Sequence, residues 1–167
     1  MSFPELRLTA LLRALARADV DFVVVGGVAV AVQGYGRATK DLDITYATDR
    51  ENLRRLGDVL IALHARLRGV VEDVPFVPHE RTLAHTRLLT LDTDDGWLDL
   101  LANPPGAPAY ATMRDRADRV ELDGVVVAVA ALDDLLAMKR AAGRPQDLID
   151  IDALEVARRM RAERGDQ

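Results

Sequence analysis

Residues 21–46 read DFVVVGGVAVAVQGYGRATKDLDITY. The apolar, β-branched run from Asp21 to Val25 predicts a buried strand over 21–25. Gly26-Gly27 breaks it, and 28–33 predicts a helix that stops near Gly34 and Gly36. Polar and apolar residues then alternate through 41–46, the period of a second strand. Asp41 and Asp43 sit two apart on that strand, so both side chains leave one face, roughly 6.6 Å apart along the backbone. Two carboxylates so placed repel each other unless a cation lies between them. Magnesium is a hard cation that takes oxygen ligands, usually one or two carboxylates plus substrate phosphates. The alternative is that Asp41, Asp43 and Thr45 form the wet face of a half-buried strand.

Outward from this stretch the pattern alternates between helix and strand. Leu8, Leu11, Leu12 and Leu15 recur at helical spacing after Pro4, predicting an amphipathic helix over 4–18. Leu53, Leu56, Leu60 and Leu63 line one face of a predicted helix over 49–66, with Thr48 as its cap. Residues 69–85, with Pro75 and Pro78, carry no readable period. Strands over 86–91 and 97–101 form a hairpin through the turn-rich 92–96, and 103–108 is loop. Asp123-Gly124 between 120–122 and 125–130 is a two-residue hairpin signal. Two helices follow: 132–142, stopped by Gly143, and one from Pro145 to about residue 163. Proline just inside a start and glycine just past an end is the usual asymmetry.

Asp99 adds a third carboxylate. It lies in Trp97-Leu-Asp-Leu-Leu101, a run with Leu98 and Leu100 on one face and Trp97 and Leu101 on the other. A carboxylate there is costly to desolvate unless something neutralises it. A metal shared with Asp41 and Asp43 would do so; an ion pair with an arginine is the structural alternative. Gly26-Gly27 suits close approach of a ligand, because bare backbone at a helix start favours phosphate, though such a pair is also a plain tight turn. The glycine spacing matches no dinucleotide fingerprint, and no P-loop Gly-Lys-Thr is present.

The chain has 167 residues, 49% hydrophobic and 29% charged, which is ordinary globular composition. Cysteine is absent, so disulfides and thiolate metal sites are excluded, and a reducing cytoplasm is the expected location. The first residues carry Glu5, Arg7, Arg13 and Arg17, with no apolar run of the kind a signal peptide needs. No apolar run is long enough to span a bilayer. A net charge of −5 argues against broad nucleic-acid binding, though not against a local basic patch. His64, His79 and His85 lack zinc spacing, and Ser2 is the only serine, which disfavours a serine hydrolase.

Taken together, the Gly-Gly turn after a strand, the segment Arg37-Ala-Thr39-Lys40-Asp41-Leu-Asp43 and the later Asp99 resemble the nucleotidyltransferase superfamily of DNA polymerase β type. More narrowly, the chain resembles the small prokaryotic AbiEii-like and minimal nucleotidyltransferases of toxin–antitoxin and abortive-infection systems. The run from Leu135 through Lys139 and Gly143 to Asp147 and Asp150 resembles a helical motif of those proteins. The motifs span residues 22 to 154.

The resemblance implies an α/β fold, a mixed sheet flanked by helices. It would form one domain over 1–167, with a core at about 20–130 and C-terminal helices at about 132–163. It implies that Asp41, Asp43 and Asp99 are catalytic and bind two Mg²⁺ ions, which clamp the attacking and leaving oxygens of an in-line displacement. Asp41 and Asp43 would bridge the metals, and Asp99 would hold the nucleophile's metal or accept the nucleophile's proton, two roles that the sequence does not separate. Gly26, Gly27, Arg37, Thr39, Lys40, Lys139 and Asp147 are the implied nucleotide-binding set, with Asp147 orienting Lys139. Lys139 read alone is a surface lysine. Val28 stands where many superfamily members carry a serine or threonine that holds phosphate. The implied activity is transfer of a nucleoside monophosphate from an NTP to an RNA 3′ end, a protein hydroxyl or a small molecule. The alternative is a catalytically silent, antitoxin-like binding partner.

Overall fold

The computed structural model describes residues 4–70 and 76–165. Seven helices and seven strands follow in chain order among these residues: α1 (Leu8–Arg17), β1 (Phe22–Val25), α2 (Gly26–Val32), β2 (Asp41–Tyr46), α3 (Arg50–Ala62), β3 (Arg66–Leu67), α4 (Glu80–Ala84), β4 (Leu88–Thr93), β5 (Gly96–Leu101), α5 (Tyr110–Arg116), β6 (Asp118–Leu122), β7 (Val125–Val129), α6 (Leu132–Ala142) and α7 (Pro145–Gly165). The strands form one sheet in the order β3-β4-β5-β2-β1-β7-β6. It is mixed: β2 runs parallel to β5 and β1 parallel to β7, while the other neighbours are antiparallel.

The centre of the sheet explains the alternation in the sequence. Leu42 pairs with Leu98 and Ile44 with Leu100, and all four are fully buried. Asp41 pairs with Trp97 and Asp43 with Asp99, and these side chains leave the opposite face. One face of the β2–β5 pair is therefore core, and the other is the floor of a cleft.

Several boundaries differ from the sequence expectation, each for a local reason. Helix α1 begins at Leu8 because the preceding residues are bound elsewhere: the Arg7 N–H donates to the Asp95 carbonyl at 2.9 Å, and its side chain pairs with Asp95 at 2.8 Å. Asp49, not Thr48, caps α3, its carboxylate accepting from the Asn52 N–H at 3.0 Å. That helix ends at Ala62, earlier than expected, because His64 adopts a left-handed φ of 50° and the chain turns into β3. The unreadable 69–85 holds α4 within its described part; Pro75 lies outside the described residues. The β4–β5 turn is only Asp94-Asp95. Helix α5 falls after the expected loop, in a stretch that carries no helical signal. Gly143 ends α6 with φ 63°, as the spacing predicts. No helix of the described residues is long and apolar enough to cross a membrane.

Candidate functional site

A cleft of about 540 Å³ opens over the polar face of β2 and β5. One carboxylate oxygen each of Asp41, Asp43 and Asp99 lies within 4.8 Å of the others. Parallel pairing produces this convergence, since it sets Asp43 directly beside Asp99 while Asp41 follows the same face. Burial, reinforced by the charges of Asp41 and Asp99, pushes the Asp43 carboxyl up to about 7, against the pull of Lys139 and Arg144. Burial also raises Asp99, and Arg68 opposes it. Thr39 Oγ1 donates to the Asp41 carbonyl at 3.1 Å and reaches its Oδ1 at 3.4 Å, steadying the strand's first carboxylate.

The glycine turn borders the acidic group. Gly26 has φ +64°, which favours glycine, and a Cβ there would collide with the Asp43 carboxylate. At Gly27 an added Cβ would come within 2.9 Å of Thr39 Oγ1 and 3.3 Å of an Arg37 guanidinium nitrogen. Both glycines line the cleft. Val28, by contrast, is a core residue, 4% exposed.

A second charged group forms the other wall. Lys139 is buried rather than on the surface, and its Nζ sits 2.9 Å from both Asp147 and Asp150. Arg37 grips Asp150 with two bonds, at 2.9 and 3.0 Å, and Gln146 adds a third at 3.0 Å. Arg144 donates to Asp147 through its backbone N–H at 3.0 Å and its Nε at 2.8 Å. Burial alone would raise both carboxyls. Hydrogen bonds from Arg144 and Lys139 instead bring Asp147 down to about 2, and those from Arg37, Lys139 and Gln146 lower Asp150. The structure thus gathers Gly26, Gly27, Arg37, Thr39, Lys40, Asp41, Asp43, Asp99, Lys139 and Asp147 around one cleft.

Three residues received no role in the sequence reading, although Asp150 closes the helical motif quoted there. Arg68, just after β3, bonds to Asp99 and comes within 3.9 Å of Asp41, so the arginine alternative for Asp99 is realised inside the acidic cluster. Asp150 lies one helical turn beyond Asp147, a spacing that places it on the same face. Arg144 precedes α7 with 73% of its side chain exposed. Only the need of Asp99 for a cation hints at Arg68, without saying which arginine answers it.

Among solved structures, the lincosamide antibiotic adenylyltransferase LnuA, with lincomycin bound, superposes with a TM-score of 0.61. It is 17% identical, over 93% of this chain and 98% of that one. This chain has the nucleotidyltransferase fold. ANT(2")-Ia in complex with adenylyl-2"-tobramycin matches with a TM-score of 0.57 and 16% identity, over 94% of this chain and 95% of that one. An antigenic nucleotidyltransferase-like protein from Paracoccidioides brasiliensis matches at 0.51 and 20%, over 88% and 72%. At these identities the likeness is one of fold. No family model matches the sequence, and no curated protein does. The narrower AbiEii-like resemblance rests on the sequence motifs alone.

Proposed function

We propose that this chain is a metal-dependent nucleotidyltransferase that moves a nucleoside monophosphate from an NTP to a hydroxyl acceptor. The observation that carries the reading is the convergence of Asp41, Asp43 and Asp99 on one face of two parallel strands, beside a bare glycine turn. The donor set fits magnesium: it is all-oxygen and carboxylate-rich, and burial, with the charges of Asp41 and Asp99 beside it, drives Asp43 toward its neutral form. Bound there, two Mg²⁺ ions would neutralise charge on the attacking and leaving oxygens of an in-line displacement.

The chain's own residues supply position and field, which is most of what phosphoryl transfer asks of a protein. Gly26 and Gly27 leave backbone bare for close approach of phosphate. Thr39 fixes Asp41. Lys139 and Lys40 bring positive charge to the cleft, and Arg144 brings it to the mouth. Asp147 and Asp150 position Lys139, and Arg37 locks Asp150 in turn. Val28, being core, leaves phosphate contact to backbone and basic side chains.

A small hydroxylated molecule is the acceptor best supported. The cleft volume is that of a small-molecule pocket, and Pro104, Pro105, Leu135 and Met138 give it an apolar shelf. LnuA is named as a lincosamide antibiotic adenylyltransferase and is lincomycin-bound, and ANT(2")-Ia is in complex with adenylyl-2"-tobramycin. A cytoplasmic setting, with its NTP and magnesium, suits this chemistry; a toxin–antitoxin role rests on the motifs. The test is transfer of label from NTPs with Mg²⁺ onto a panel of hydroxylated small molecules and RNA. Asp41→Asn with Asp43→Asn should lower transfer roughly a thousandfold or more. The same double variant should lose the thermal stabilisation that Mg²⁺ with NTP gives the wild type. A full thermal shift in the double variant would place the metal elsewhere and end this reading.

A further inference from the structure

Arg68 sits where the proposed metal ligands are. Its backbone N–H donates to the Thr90 carbonyl at 2.9 Å, which ties it to the sheet edge. Its guanidinium carbon lies 4.3 Å from the centroid of the Trp97 ring, a cation–π stacking distance. From that platform it bonds to Asp99, reaches the Leu91 carbonyl at 3.4 Å and stands 3.9 Å from Asp41. Its Nε is buried with no hydrogen-bond partner among the described residues. The side chain therefore holds two of the three carboxylates while leaving one of its own donors unsatisfied.

A guanidinium and a divalent ion make different demands on the same oxygens. Arginine spreads one charge over a planar fork, whereas the ion concentrates two charges at a point that oxygens must surround. Bonded to Asp99 and 3.9 Å from Asp41, the guanidinium spends Asp99 lone-pair capacity and sets a like charge beside any divalent ion that these carboxylates would hold. We infer that Arg68 is a resident counter-cation, stacked on Trp97, which a divalent metal must displace from Asp99 and Asp41. This rests on the metal-site reading above and goes beyond it, because it makes Arg68 the residue that sets the site's metal affinity.

Trp97 is the only tryptophan, so its emission reports the stacked guanidinium directly. Mg²⁺ titrated into the wild-type protein should change Trp97 emission over the same concentrations as the calorimetric heat of binding. Arg68→Gln should bind Mg²⁺ about tenfold more tightly, the worth of a charge-assisted contact, and show little emission change. Arg68→Lys, which keeps the charge but loses the fork, should fall between them. Arg144→Gln controls for the general field: it removes a charge that acts on Asp41 and Asp43 from a distance. It should raise affinity by less and keep the emission change. Equal Mg²⁺ affinity in the wild type and Arg68→Gln overturns the inference, and so does unchanged Trp97 emission at saturation. Should Arg68→Gln not fold, the Arg68→Lys titration and the wild-type emission decide. Asp43→Asn separates the two claims, since heats that vanish there uphold the metal site whatever Arg68 does. Heats that survive in Asp43→Asn, or are missing from the wild type, remove the metal site and this inference with it.

Discussion

The two charged walls of the cleft are built from the same kinds of side chain, carboxylates and basic groups, and end in opposite states. On the C-terminal wall, Asp147 and Asp150 meet Lys139, Arg37 and Arg144 at hydrogen-bond distance, and both carboxyls are held below their ordinary range. On the strand wall, Asp43 is pushed up to about 7 and Asp99 is also raised, although Arg68 touches the cluster. The first wall is electrostatically complete as folded. The second is not: burial and the charges of Asp41 and Asp99 oppose the ionised form of Asp43, and on the proposed reading a divalent cation would relieve that opposition. On that reading the strand wall would hold the metal, while the C-terminal wall keeps Lys139 in place beside the nucleotide.

Breaking the complete wall should have the largest effect on stability. Lys139→Met leaves Asp147 and Asp150 buried with one arginine each and no shared ammonium between them. A stranded buried charge costs on the order of 3 kcal/mol. Urea melts of the variant should show that loss at pH 7, with or without Mg²⁺. A loss below about 0.5 kcal/mol would mean that the two arginines suffice and Lys139 is there for the ligand alone.

The incomplete wall should respond with the opposite sign. Asp43→Asn removes a carboxylate whose ionisation the fold opposes. A rise from 3.8 to about 7 corresponds to ~4 kcal/mol, and water in the open cleft screens roughly half. At pH 8 in EDTA the variant should therefore be about 2 kcal/mol more stable than wild type. The pH dependence fixes the signs. Asp43 has a raised folded pKa, so its contribution is fully present below about 4 and is lost as pH rises through about 7. Asp147 has a depressed one, so its contribution is present above about 4 and is lost as pH falls toward 2. Melts across pH 2 to 9 should show both limbs in the wild type. Asp43→Asn should keep the acid limb and flatten the alkaline one; an unchanged alkaline limb would refute the assignment.

Much of this contrast is legible in the sequence, and its gaps have physical causes. Period-two alternation fixes the face that Asp41, Asp43 and Asp99 leave, so their convergence follows once β2 and β5 pair. The apolar run around Asp99 calls for a cation, and Arg68 is one. Arg68 itself is silent because it borders 69–85, where no period shows which way a side chain points. Lys139 reads as surface because its burial depends on Asp147 and Asp150, and the Arg37–Asp150 bond closes 113 residues of chain. Helix α5 buries only Met113 and begins after Ala109, which has no capping side chain, so neither stripe nor cap announces it.

The smallest effect on stability sharpens the comparison most. Arg144 belongs to the complete wall through Asp147, yet it is the most exposed cation there and sits at the mouth of the cleft. Its backbone N–H bond to Asp147 is open to glutamine as well, and Lys139 still neutralises that carboxylate. Arg144→Gln should then cost only about 0.5 kcal/mol, as an exposed ion pair does. If the wall serves the fold alone, nucleotide affinity should be untouched. If an NTP lies in the cleft, the variant removes a cation from the path of the triphosphate, and affinity for Mg²⁺-NTP should fall several-fold, about 1 kcal/mol. Exposed charge is screened by salt, so that deficit should shrink between 50 and 500 mM NaCl. Calorimetric titration of the wild type and the variant at both salt concentrations reads the difference. Equal affinities at low salt would confine Arg144 to the structural wall and leave the triphosphate to Lys40, Lys139 and the glycine turn.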